Sequence, residues 1–332
     1  MKVAVAAGAA VVGGGAVACS IVERRDRRAV DGDPEGEELG RVCEGRATRV
    51  RSDDGTELHV EAFGDGAGRP VVLVHGWMCS MRLWHRQIRD LSPDHRVVAY
   101  DLRGHGRSGP AAGGDHSMDA LAADLDAVLH QAVGHDIPVV LAGHSMGAMS
   151  IVAWARAHPG EVARRVAGAV LANAGVEELV GQARIVAVGD ALSKAREAFA
   201  QRLLGWPVPL PSRPRAVVSR VVRAVALGPA ASPAQVAFST DMVLACPTEV
   251  RAGFGSTLST LDLLDGLDAL GVPTVVVAAE HDRLTPPVHA RRIAAALADA
   301  TLVEIPDAGH LTPIEAHAEI TALIGELARR HS

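Results

Sequence analysis

Short runs of consecutive apolar, mostly β-branched residues recur along the chain at Val71–His75, Val97–Tyr100, Val139–Ala142, Val166–Leu171, Thr274–Val277 and Thr301–Ile305. Continuous rather than alternating apolarity is what a strand buried on both faces requires, so these runs predict a parallel sheet covered on each side. Helix-length stretches separate them, at Met118–Val133, Met146–His158, His289–Leu297 and Ile314–Arg329. Ahead of them, Thr48–Ser52 and Glu57–Ala62 read as paired strands around the turn signal Asp53-Asp54-Gly55. Strand alternating with helix predicts an α/β fold, a doubly wound and mostly parallel sheet.

One stretch breaks the alternation. From Val176 to about Leu263 no strand pattern appears, and the segment reads as helical with Pro-rich breaks at Trp206–Pro214 and Leu227–Pro233. A chain of 332 residues suits one core carrying an insertion. The expected organisation is therefore an N-terminal hydrophobic segment and charged linker over 1–45, a core over 46–176 and 264–332, and a helical cap insertion over 177–263.

The N-terminus follows another pattern. Val3 to Val22 is uncharged and long enough to cross a bilayer, although Ala and Gly fill much of it. Arg24, Arg25, Arg27 and Arg28 follow at once, and the positive-inside rule would hold that end in the cytoplasm. Residues 3–22 are thus expected to associate with the membrane as an anchor, leaving the rest of the chain on its cytoplasmic face. Secretion is the alternative, because Met1-Lys2 supplies a small positive start and Ala16-Val17-Ala18-Cys19 resembles a lipoprotein cleavage site. Gly13-Gly14-Gly15-Ala16-Val17-Ala18 matches a dinucleotide fingerprint, but no strand precedes it and no βαβ unit contains it.

Composition narrows the chemistry. A net charge of −6 argues against a nucleic-acid partner. The four cysteines, Cys19, Cys43, Cys79 and Cys246, lack metal-ligand spacing, so no structural metal site is expected. Aromatic residues make up only 3%, which leaves the core to Val, Ala and Leu.

The strongest chemical signal is Gly143-His144-Ser145-Met146-Gly147, between the run Val139–Ala142 and a helix-length stretch. Strand, G-x-S-x-G and helix in that order form a nucleophile elbow, in which a sharp turn lifts the serine clear of the sheet edge. A serine nucleophile needs a base, and the base needs an orienting carboxylate. Asp282 follows the run Val272–Ala279, and His310 ends the loop Pro306-Asp307-Ala308-Gly309 after Thr301–Ile305. Both stand at carboxyl ends of strands, on the sheet edge that also carries Ser145. Glu177 and Glu178 are the fallback acids, and Asp307 reads as a turn residue. The backbone N–H groups of Met146, opening the helix, and of Trp77, in His75-Gly76-Trp77, are the candidate oxyanion donors. His75 reads as structural.

These motifs together resemble the α/β-hydrolase superfamily, in its capped branch of esterases, epoxide hydrolases and haloalkane dehalogenases. The resemblance runs from about Val50 to the C-terminus and takes in Val74–Trp77, Asp101–Ser108, Gly143–Gly147, the Asp282 turn and Gly309-His310. The N-terminal segment resembles that of many actinobacterial members. The resemblance implies a serine hydrolase, cofactor-free, with Asp101–Ser108 bracing the pocket and taking no part in the chemistry. A serine stands where epoxide hydrolases and dehalogenases carry aspartate, so an acyl-enzyme is expected. Tyr100 is the one tyrosine and lies outside the insertion, which excludes the usual epoxide mechanism.

The expected activity is cleavage of a carboxylic ester, with an apolar acyl or lipid-like substrate favoured by Phe199, Leu203, Leu204, Trp206, Phe238, Met242 and Phe254 in the insertion. A carbon–carbon bond hydrolase or perhydrolase using the same triad is the alternative within enzymes. Outside them, the alternative is a non-catalytic small-molecule receptor.

Overall fold

The computed structural model describes residues 22–183, 202, 204–210 and 215–330. Residues 3–21 of the expected anchor, the glycine run at 13–15, Cys19, Phe199 and Leu203 lie outside the described residues. Among the described residues, no helix is long and apolar enough to cross a membrane.

Eight strands form one sheet in the order β1-β2-β4-β3-β5-β6-β7-β8. They are β1 Arg46–Arg51, β2 Glu57–Phe63, β3 Gly68–Val74, β4 His95–Tyr100, β5 Val139–His144, β6 Val166–Ala172, β7 Thr274–Ala279 and β8 Ala300–Ile305. β1 pairs antiparallel with β2, and β2 antiparallel with β4; every pairing from β4 to β8 is parallel. The six apolar runs and the two hairpin segments predicted as strands all became strands, within a few residues at each end. The central ones are buried along their whole length, as β5 and β7 show. Alternate residues of each strand enter opposite cores. Leu141 joins one with Val72 and Trp154, and Val140 joins the other with Leu73 and Trp84. That division is why the apolar pattern had to be continuous.

The helices used below are α1 Met118–Val128, α2 Met146–Ala157, α3 Arg215–Ala226, α4 Pro233–Ala245, α5 Thr248–Ser259 and α6 His317–Arg329. The predicted helix Met118–Val133 closes instead with a π-helical turn over Leu129–Val133, ending at Gly134 with φ 124°. The last predicted helix is broken at Ala316, whose φ is −126°. Between β6 and β7 the described elements are helices joined by turns and loops, apart from one bridge that pairs Glu177 with Asp262 at the base of the insertion.

Beneath the β4 edge a buried ion pair ties the layers together. Arg103 grips Asp124 of α1 through Nε and Nη2, at 2.7 and 2.6 Å, and reaches Asp54 of the β1–β2 turn at 2.8 Å. Both side chains of the Arg103–Asp124 pair are fully buried, whereas Asp54 is partly exposed. Removing one partner of such a pair leaves a buried charge uncompensated. Asp124→Ala is therefore expected to destabilise the fold by about 3–5 kcal/mol, read from the urea unfolding midpoint. Asp54→Ala should cost less than about 1 kcal/mol, since its charge is reached by water. Equal effects from the two variants would contradict this account.

Candidate active site

Two glycines shape the turn between β5 and α2. Ser145 takes φ 51° and ψ −120°, a region L-residues rarely occupy, and α2 begins at the next residue. A Cβ on Gly147 would overlap the carbonyl oxygens of Val74 and His75, so α2 packs main chain against main chain on β3. A Cβ on Gly143 would meet the backbone of Gly147 and Ala148. Small residues on each side of Ser145 are thus a packing requirement.

The next loop arrives from β3. A Cβ on Gly76 would lie 3.1 Å from Ser145 Cβ, which brings the His75-Gly76-Trp77 turn directly against the serine. Met146, opening α2, and Trp77 accordingly flank Ser145 from two elements. His75 is fully buried, and both ring nitrogens are engaged by main chain. Nδ1 lies 2.7 Å from the Gly76 oxygen, and Nε2 accepts from the Leu102 N–H at 3.0 Å. Burial pushes its pKa down to about 4, so the ring is neutral and acts as a strut between β3 and β4.

The loop after β4 is a brace. Asp101 accepts from the N–H groups of Met81 and Arg107 at 2.8 and 2.9 Å, and His105 Nε2 accepts from Met78 N–H at 3.3 Å. Those contacts hold the segment that continues from Trp77.

Asp282 and His310 come together from the ends of β7 and β8. His310 Nδ1 lies 2.8 Å from Asp282 Oδ2, and the Asp282 side chain is fully buried. Burial alone would raise the Asp282 carboxyl. The adjacent His310, the Thr285 N–H at 2.9 Å from Oδ1 and the Asn173 amide at 2.9 Å from Oδ2 outweigh it and hold the group below its usual range. A carboxylate only accepts, so the proton between the two sits on His310 Nδ1, and in the neutral tautomer this fixes it is Nε2 that carries the lone pair. The His310 backbone is held as firmly as its ring. Its N–H donates to Ala226 O at 2.8 Å, and His144 Nε2 donates to its carbonyl at 2.7 Å. The His144 and His310 rings meet edge to face, with centroids 4.9 Å apart. Because His144 precedes Ser145, that contact seats the His310 loop on the elbow.

Asn173 was not singled out in the sequence. It follows β6 with φ 52°, sends its amide to Asp282 and accepts from the Thr312 hydroxyl at 2.5 Å. A polar residue directly after a fully apolar strand, on the edge that carries Ser145, was the available signal. The fallback acids Glu177 and Glu178 pair with Arg292 instead. Asp307 is an exposed turn residue with φ 56°.

The predicted lining of the insertion divides. Phe238 and Met242 line a cavity of about 450 Å³ together with Cys79 and Met81, and its lining includes none of Ser145, Asp282 and His310. Phe254 is buried against the His105 and His116 rings, whereas Trp206 is exposed. Among the described residues, metal-ligand spacing occurs at Glu280, His281 and Asp307, all of them exposed. Cys43, Cys79 and Cys246 are free thiols.

The model of a family described as "alpha/beta hydrolase fold" matches residues 69–316. The chain is 31% identical to a non-heme haloperoxidase of Rhodococcus erythropolis over 268 residues, which take in 79% of this chain and 92% of that protein. Among solved structures it resembles a thermophilic esterase from Thermogutta terrifontis, with a TM-score of 0.67 and 27% identity over 86% of this chain and 98% of that one. An enol-lactonase from Burkholderia xenovorans superposes with a TM-score of 0.66 at 24% identity, covering 84% and 99% of the two chains, a likeness of fold.

The hold on Asp282 has a consequence for stability against pH. A carboxyl lowered in the folded state contributes stability that is present above its ordinary value and lost as pH falls through the lowered one. Asn173→Ala removes one hydrogen bond and brings the folded value back toward the ordinary one. Urea unfolding from pH 3 to 7 should show about 1–3 kcal/mol less stability at neutral pH and a smaller acid-side loss, complete at higher pH than in wild type. An acid limb identical to wild type would mean that Asn173 does not hold the carboxylate.

Proposed function

The chain belongs to the alpha/beta hydrolase fold family, and on that premise we propose that it is a serine hydrolase cleaving a carboxylic ester through an acyl-enzyme. The observation that carries the proposal is the buried Asp282–His310 pair, 2.8 Å apart, on a loop seated against the strained turn of Ser145. In this reading His310 Nε2 takes the Ser145 proton as the hydroxyl attacks the ester carbonyl. Asp282 fixes the tautomer and stabilises the imidazolium. The Met146 and Trp77 N–H groups receive the oxyanion, each worth about 3–4 kcal/mol in the transition state. His310 then returns the proton to the departing alcohol and draws one from water, which releases the acid.

An apolar acyl group is the favoured substrate side, a reading supported by the apolar residues Phe238, Met242 and Phe254 that the insertion carries. The helical insertion over 177–263 would act as the cap that selects it. A second reading, perhydrolysis, is favoured by the similarity to the haloperoxidase. There hydrogen peroxide rather than water attacks the acyl-enzyme, and the product is a peracid. We also propose that residues 3–22 tether the enzyme to the cytoplasmic face of a membrane, a reading supported by the apolar stretch and the arginines that follow it. Full-length protein should sediment with membranes and resist high salt; recovery in the salt-soluble fraction would count against the tether.

Fluorophosphonate should label the wild-type protein and fail to label Ser145→Ala. p-Nitrophenyl esters of graded chain length should turn over with an optimum beyond acetate. With peroxide and bromide present, halogenation of a dimedone would select perhydrolysis. A folded wild-type protein that takes up no label would end the serine-hydrolase reading.

A further inference from the structure

One half-buried carboxylate plays no part in the chemistry above. Glu315 lies in the turn Thr312–Glu315 just beyond the His310 loop, and it accepts from three backbone N–H groups. Leu311 N–H reaches Oε1 at 3.1 Å, Gly309 N–H reaches Oε2 at 3.1 Å, and Gly228 N–H reaches the same Oε2 at 2.6 Å. Two of these donors flank His310 on either side. The third belongs to the insertion, two residues past the end of α3.

The contact with Gly228 is more than local capping of a turn. In the same place the His310 N–H donates to Ala226 O, the last residue of α3, at 2.8 Å. A Cβ on Gly228 would overlap the Asp307 carbonyl, and one on Gly309 would overlap Gly228. The insertion and the His310 loop therefore meet main chain to main chain, with no room for a side chain between them. Glu315 is the side chain that bonds to both. Burial favours the neutral acid and raises its carboxyl above the usual value, while the three N–H donors oppose that shift.

We propose that Glu315 is a positioning residue that couples the insertion to the base, so that His310 is set for proton transfer only while residues 226–228 are seated on its loop. The inference rests on the reading of His310 as base. It predicts that a displacement of α3, on substrate entry or product release, is felt first as a displacement of His310. It also makes the length of the Glu315 side chain matter, since Asp would fall one methylene short of Gly228.

The test uses full-length wild type, Glu315→Gln and Glu315→Asp. Gln keeps the shape but turns an NH2 toward N–H donors, so the fold is retained while the three-way bond is not. Amide exchange read by mass spectrometry should quicken at 226–228 and at 307–311 together, by about tenfold or more in both variants. On p-nitrophenyl butyrate, kcat and the fluorophosphonate labelling rate should fall about tenfold to a hundredfold with KM changed less than about twofold. Faster exchange at 307–311 alone, with 226–228 unchanged, would overturn the coupling and leave Glu315 a local turn residue. Wild-type rates in both variants would overturn the positioning role. If the wild type itself neither labels nor turns over, the hydrolase reading fails, and the exchange pattern alone still decides whether the two segments are tied.

Discussion

Ser145 is held in a backbone conformation that costs on the order of 1–3 kcal/mol, and much of the structure exists to keep it there. With φ at 51° the chain reverses from β5 into α2 within one residue. That reversal is possible only if α2 can approach β3 at backbone contact, which is why glycine stands at 143 and 147. The central strands supply the counterforce. β5 is bonded on both sides, to β3 and to β6, and none of its six residues is exposed. A turn anchored to an edge strand could relax; one anchored to the middle of a parallel sheet cannot.

The electrostatics follow from the same rigidity. A carboxylate as deeply buried as Asp282 would ordinarily take up a proton. It stays ionised because the ends of β6 and β7 are fixed neighbours, and their loops aim Asn173 and Thr285 at it alongside His310. The neighbouring histidines show the opposite outcome. His75, His105 and His144 lack a carboxylate partner of this kind, and burial drives their pKa values down to about 4, 3 and 3. Four histidines within two loops of Ser145 thus have different roles: three are neutral struts, and one has an acid behind it.

The contacts that brace the fold and those that hold the His310 loop are separated along the sheet. The Arg103–Asp124 pair and the Asp101 brace serve the β4 side and the loop after Trp77, whereas the His310 loop is held by α3, the elbow and Glu315. The two supports meet across the turn of Ser145, and again where Gln87 Nε2 donates to Pro313 O at 3.0 Å. The insertion is bonded to the His310 loop by main chain, so it is more than a lid resting on the core.

The sequence by itself determined the sheet and the strand ends at which Ser145, Asp282 and His310 stand. Continuous apolar runs such as Val139–Ala142 can satisfy burial on two faces only inside a parallel sheet, and G-x-S-x-G between such a run and a helix admits one local geometry. Ser, then Asp282, then His310, each just beyond a strand, followed from that periodicity. What the sequence could not carry was anything set by contacts between distant segments. Asn173 behind Asp282, His144 under the His310 carbonyl and Glu315 between Gly228 and Gly309 are ordinary polar residues in one dimension. Nor could periodicity foresee the π-turn at Leu129–Val133 or the break at Ala316, where packing against the sheet overrides local helical preference. Local pattern reports which groups a segment must bury; which partner waits for each buried group is decided only when the strand ends come together in space.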